Sequence, residues 1–250
     1  MAPIEINENS LATQGMTINT LGHAALIDAL LASGKLTKGK QVLYIGSEVS
    51  RAVWSFSGFL PNYCGNFTEK DIDWAIKMNY KSYCPVPVRN QFGDYKNAKI
   101  IGHMHFLAVG RSNPDISWIH TSPGAVGGSF AERAHFPVKQ LLGCFPQMFW
   151  CMGVTQAPTP PASAKIGVKR YVDILKAPIG TFKEHSLMLS PKTCGMFWGA
   201  RGPMADNAPL VSYFNDDKSE LHKKVMEKVR EVNAAWAKKT SVDIPNVMER

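Results

Sequence analysis

The sequence has no CxxC pair, no internal repeat, no low-complexity tract and no clear linker. Its five cysteines (Cys64, Cys84, Cys144, Cys151 and Cys194) are odd in number and scattered. Such a set argues against a disulfide frame or a zinc site and reads as reduced, buried thiols of an intracellular protein. Charged residues make up only 19% of the 250 and apolar residues 45%. That balance excludes a disordered chain, a collagen and a coiled coil, and fits one globular domain over 1–250. The opening MAPIEINENS has neither the basic start nor the apolar stretch of a signal peptide. The most apolar run, LLGCFPQMFWCMGV at 141–154, is too short to span a bilayer and contains Pro146. It suits a peripheral membrane contact or a cover over an apolar pocket, so the expected location is cytoplasmic or membrane-peripheral.

Lys and Arg total 28 against 20 Asp and Glu, a net charge of +8. A basic chain can meet nucleic acid, anionic lipid or a phosphorylated cofactor, and charge alone does not choose between them. Residues 11–33 read as one helix, with Ile18, Leu21, Ala25 and Ala29 on one face and Gly34 as the stop. Gln41–Ser47 is a short apolar run without alternation, the signature of a strand covered on both faces, as in a parallel sheet. A short helix is expected near 69–79 and a longer one over 94–110. Residues 115–121 predict a second strand and 195–198 a third. Thr159 and the prolines after it open a helix that Pro178 closes near Lys176. The chain ends in an amphipathic helix with Leu221, Val225, Val229, Val232 and Trp236 on one side. Strands separated by helices and long loops indicate an α/β fold with a parallel sheet and flanking helices.

Chemistry concentrates at Tyr95-Lys96-Asn97-Ala98-Lys99, where a phenol and an ammonium stand one helical turn apart. A nearby cation stabilises a phenolate and draws its pKa down from about 10, toward use as a general acid or base. The spacing alone is common and equally describes a solvated helix face. Ser47 ends the first strand, the usual place for a catalytic group in an open α/β sheet. Asn19 sits inside the first helix, where its amide can hold a backbone carbonyl, and Pro123-Gly124 closes the second strand. His103 and His105 at i and i+2 point to different faces of a helix and read as ordinary helix residues. Lys218, Lys223, Lys224, Lys228, Lys238 and Lys239 read as a solvated face without interleaved aromatics, so no nucleic-acid partner is expected.

These four features, in this order, resemble the short-chain dehydrogenase/reductase family over about residues 10–200. The pattern is N-x-x-G-H in one helix, a strand ending in Gly46-Ser47, then Y-x-x-x-K, then a strand ending in Pro-Gly. Within the family, the long segment from Ser47 to Tyr95 and the Gly195-Met196-Phe197-Trp198 run look like the retinol dehydrogenase and protochlorophyllide reductase branch. The resemblance implies a tetrad of Asn19, Ser47, Tyr95 and Lys99. Tyr95 would be the proton donor, Lys99 would hold the nicotinamide ribose, and Ser47 would orient the substrate. It implies NAD or NADP as cofactor, with NADP favoured by resemblance only, bound by Asn19, Tyr95, Lys99, Pro123 and Gly124. The family's opening strand and glycine-rich phosphate turn have no counterpart here. Gly195-x-x-x-Gly199-x-x-Gly202 has the wrong last spacing and reads as a strand-end turn. The chain thus resembles the carboxy-terminal two-thirds of such an enzyme, a partial Rossmann-like sheet whose first strands are absent and whose first remaining strand is an edge.

Residues 130–160 fall where the family carries its substrate lid. Arg133 with Phe136, Phe145, Phe149 and Trp150 suits a bulky apolar substrate, and equally plain lid packing. The expected activity is hydride transfer between a nicotinamide and an apolar alcohol or carbonyl compound. The competing expectation is a non-catalytic relative that docks into a larger assembly. Either reading uses residues 11–33 and 94–110 to form a homo-oligomer or that assembly.

Overall fold

The computed structural model describes residues 11–47, 68–77, 91–122, 157, 159–182, 188–191, 204–206, 214 and 216–240. Their fold is mixed α/β. They fall in two compact units, one drawn from Ala2–Val42, Val49–Ser117 and Pro209–Arg250, the other from Leu43–Glu48 and Trp118–Ala208. The expected strand at 195–198 and nearly all of the expected lid lie outside the described residues.

The first unit is helical. Helix α1 runs in three stretches: Gln14–Met16, a wide π turn Thr17–Leu21, and Gly22–Ala32. Ala12, Met16, Thr20, Ala24 and Asp28 are all buried, a spacing of four throughout. In a regular α-helix such a stripe drifts about 40° per step, and a π turn absorbs the drift by taking in one more residue. This corrects the expected core face. Leu21 is buried, but Ile18 is 60% exposed and Ala25 and Ala29 are only partly covered. Gly34 closes α1 as expected, at φ 68, while Lys35 N–H donates to Leu30 O at 3.0 Å.

Helix α2 (Asp71–Lys77) is capped by its own first residue. Asp71 accepts from the Thr68 N–H and hydroxyl at 2.7 and 2.8 Å. Helix α3 (Gln91–Ser112) packs against α1 and α2, and against α5 (Ser219–Thr240). Met16, Leu21, Ile76, Ile101, Met104, Leu107, Phe214, Val225 and Val229 form the centre of one core. The face expected on α5 is the buried one except at its end, where Trp236 is 38% exposed. Lys224 and Lys228 of α5 reach Glu69, just before α2, and Asp73, within it, at 2.5 and 3.1 Å.

The sheet has four strands in the order β1 (Gln41–Ile45), β2 (Ser117–Thr121), β3 (Met188–Pro191), β4 (Met204–Asp206). Ser117 N–H donates to Lys40 O where β1 and β2 start, and Gly46 N–H to Thr121 O where they end, so these two run the same way. β2 and β3 are parallel, with His120 opposite Met188. β4 is antiparallel to β3. The cover expected on both faces of β1 is not found there, where only Tyr44 is buried and Ile45 is 45% exposed. It is β2 that is buried along its whole length, while β3 and the antiparallel edge strand β4 went unread in the sequence. Helix α4 (Pro160–Lys176) follows Thr159, which adopts extended backbone without a side-chain capping bond, and has proline in its first turn. Ala177, held extended by Pro178, ends it. Ile174 of α4 and Ile119 of β2 bury together with Leu43 and Phe182 packed against them. No helix among the described residues is long and apolar enough to cross a membrane.

Candidate active site

Tyr95 and Lys99 stand on the same side of α3, and the Lys99 ammonium lies 5.4 Å from the centre of the Tyr95 ring. Lys99 is only 6% exposed, whereas Tyr95 is half-buried and so keeps a route to solvent or a ligand. Burial holds the Lys99 pKa below its ordinary value, because the packed helices around it solvate a charge poorly. A desolvated ammonium over an aromatic face gains more from the ring than one in water. It also has more to gain from ligand hydroxyls or anionic oxygen. The pair is therefore a phenol with a fixed cation beside it, one partner accessible and the other shielded.

The wide turn of α1 supplies the next contact. Asn19 Nδ2 donates to Gly15 O at 3.0 Å and Thr17 Oγ1 to Thr13 O at 2.8 Å. Side chains that bond carbonyls four residues back loosen a helix, and the Gly22 N–H accordingly reaches five residues back to Thr17 O. Asn19 thus holds a helix carbonyl as expected, and the carbonyl is in its own helix. Its neighbour Thr20, buried, donates from Oγ1 to Ala98 O at 2.6 Å. That bond ties the wide turn to the residue before Lys99. Thr20 was missed in the sequence; four β-branched or amide residues in a row, Thr17-Ile18-Asn19-Thr20, are poor helix formers and were the available signal.

Further along α1 and α3 stands a buried polar group, also unread. Asp28 is 4% exposed and takes two hydrogen bonds from Arg230 of α5, at 3.0 and 2.8 Å. His105, itself buried, lies close enough to feel both charges. Burial above all, with Arg230 adding and Asp28 opposing, pushes its imidazole down to about 4. His103 sits instead against Phe214, ring centres 4.0 Å apart, so the two histidines occupy different surroundings as their spacing implies. At the end of α3, Arg111 Nη1 donates to His222 Nδ1 at 2.7 Å. A guanidinium only donates, so that ring nitrogen is unprotonated.

Ser47 belongs to the second unit, half-buried just past the end of β1. Gly46 before it is required by its surroundings: a Cβ there would fall 1.8 Å from His120 Nε2. His120 in turn packs on Tyr44 with ring centres 5.1 Å apart. Pro123, Gly124, Arg133, Phe136, Phe145, Phe149 and Trp150 lie outside the described residues. The glycines among the described residues all occur singly, and none forms a glycine-rich phosphate turn. No protein-family model and no curated protein sequence matches the chain.

Proposed function

We propose that the chain is an oxidoreductase of short-chain dehydrogenase/reductase type that interconverts an apolar alcohol and its carbonyl compound. The observation that carries this reading is the buried Lys99 ammonium held over the half-exposed Tyr95 ring. The residues suit the ribose end of NAD or NADP, since Lys99 can donate to ribose hydroxyls while its charge favours loss of the Tyr95 proton. When bound, the nicotinamide supplies or accepts the hydride. Tyr95 gives its phenolic proton to the carbonyl oxygen in reduction and takes it back in oxidation. Thr20 and Asn19 set where Lys99 stands, through the Ala98 carbonyl and the wide turn. The family resemblance gives Ser47 the part of orienting the substrate. Assembly through residues 11–33 and 94–110 belongs to the same proposal; Ile18 and Leu26 are the exposed apolar side chains of the first.

Replacing Tyr95 with Phe is expected to cut turnover of apolar aldehydes or ketones with NADPH or NADH by about 10²–10⁴-fold. Circular dichroism should show an unchanged fold. Equal rates in the two proteins would sink the reading. A second reading, a non-catalytic relative that docks into a larger assembly, is favoured by Gly46, whose side-chain space is filled by His120 and not left for a ligand. Isothermal titration separates the two, because the enzyme binds NADH or NADPH and the docking subunit binds neither.

A further inference from the structure

We propose that the outer flank of α4, with the turn after it, docks on an anionic lipid surface. The inner edge of the helix is occupied, with Ile174 at 1% exposure in the core that holds Ile119. A second set of apolar residues has no such cover. Val168, Val172, Leu175 and Ile179 are 59, 39, 52 and 57% exposed. Val168, Val172 and Leu175, spaced four and three apart, share one stripe of the helix at about 100° per residue, and Ile179 follows in the turn after it. Isolated exposed aliphatics are ordinary, but a continuous stripe on one helix marks a contact surface.

The charges beside the stripe identify its occupant. Lys165, Lys169 and Lys176 are all exposed and follow one border of it. The only carboxylate on the helix, Asp173, stands farther round and accepts from Lys169 at 2.6 Å. A second copy of the chain is a poor match. Antiparallel pairing that seats Val172 on Leu175 also brings Lys169 near Lys176 of the other copy. Nucleic acid is a poor match as well, since an aliphatic stripe gains nothing from phosphates in water. An anionic bilayer satisfies both parts, with aliphatic side chains at the boundary of the acyl region and lysines among the headgroups. The chain's +8 charge acts in the same direction. This face is independent of Tyr95 and of the proposed oxidoreductase activity.

Co-sedimentation of the full chain with vesicles tests the proposal, using phosphatidylcholine alone and phosphatidylcholine mixed with phosphatidylserine. Binding is expected only with phosphatidylserine present, and it should fall as salt rises. Exchanging Lys165, Lys169 and Lys176 for Gln should weaken partitioning by about fivefold per residue. These side chains are solvent-exposed, so that variant keeps its fold. Val172→Asp with Leu175→Asp should weaken partitioning by more than tenfold, with circular dichroism unchanged. The proposal is overturned if wild-type protein ignores the phosphatidylserine vesicles, binds neutral ones equally, or partitions undiminished after either set of changes. It is also overturned if the wild type self-associates in analytical ultracentrifugation and the Asp variant does not, because a second copy would then be the occupant.

Discussion

Helix α3 (Gln91–Ser112) hides Asn97, Lys99, His103 and His105, while helix α4 (Pro160–Lys176) displays Val168, Val172 and Leu175. Each inverts the ordinary rule in its own direction, and such inversions carry more information than residues that obey it. Helix α3 has helices on several sides, so even its polar residues are enclosed. Helix α4 meets the sheet along one edge only, so apolar residues on its flank stay in water. The two i,i+4 pairs, Tyr95 with Lys99 and Lys169 with Asp173, make the same point. Equal spacing puts one cation in a desolvated site and leaves the other side chains 72% and 55% exposed. Spacing decides which groups meet; surroundings decide what the meeting is worth.

The sharpest test of that contrast compares two aspartates. Asp28→Ala leaves Arg230 without its bidentate partner in the helical core and is expected to cost about 3–5 kcal/mol. Urea unfolding measures it through the midpoint at constant slope. A loss below about 1 kcal/mol would mean that the buried group relaxes as readily as a surface one.

His105 tests the same surroundings through pH. An unfolded imidazole takes up its proton near 6.5, whereas folded His105 stays neutral until about 4. Between those values the unfolded chain binds more protons, so this contribution is fully present above about pH 6.5 and drains as pH falls toward 4. The drop is about 3 kcal/mol. A His105→Leu protein should lose that segment of the pH–stability curve, whatever its stability at neutral pH. A curve parallel to wild type would show that His105 is already charged in the fold.

The sequence was legible where periodicity was strong and local. The apolar face of α5 at Val225, Val229 and Val232, the Gly34 stop, the Pro178 stop, and strands β1 and β2 all follow from spacing and from residues with restricted backbones. Tyr95 and Lys99 were legible as neighbours for the same reason. The burial of Lys99 was not, because it depends on three other helices contributed by distant parts of the chain. The face of α1 was misread because a period of 3.6 cannot foresee a π turn, which depends on Thr17 and Asn19 bonding carbonyls behind them. Asp28 went unread because its partner Arg230 lies 202 residues away, so nothing local marks the carboxylate as buried.

Thr20 joins the wide turn to the helix of the candidate pair, so its effect should be smaller but directed. Thr20→Val removes the bond to Ala98 O and should cost about 1 kcal/mol in thermal or urea unfolding. Thr20→Ser, which keeps the hydroxyl, should recover most of it. If turnover falls in the Val protein and returns in the Ser protein, the bond positions Lys99 as well as holding two helices together. If both substitutions cost the same, the buried methyl matters as much as the hydroxyl.

The smallest effect belongs to the exposed pair on α4. Asp173→Ala breaks a 2.6 Å bond to Lys169, yet both groups are mostly in water. Each keeps its hydration in the unfolded chain, and holding two long side chains in one geometry costs entropy. An i,i+4 pair of this kind contributes about 0.3–0.5 kcal/mol, and less at high salt. Unfolding midpoints of wild type and Asp173→Ala should therefore nearly coincide and converge further as salt is added. A cost approaching that of Asp28→Ala would show that Asp173 is enclosed by something in the folded state, and would withdraw the flank of α4 from the solvent that the docking proposal requires.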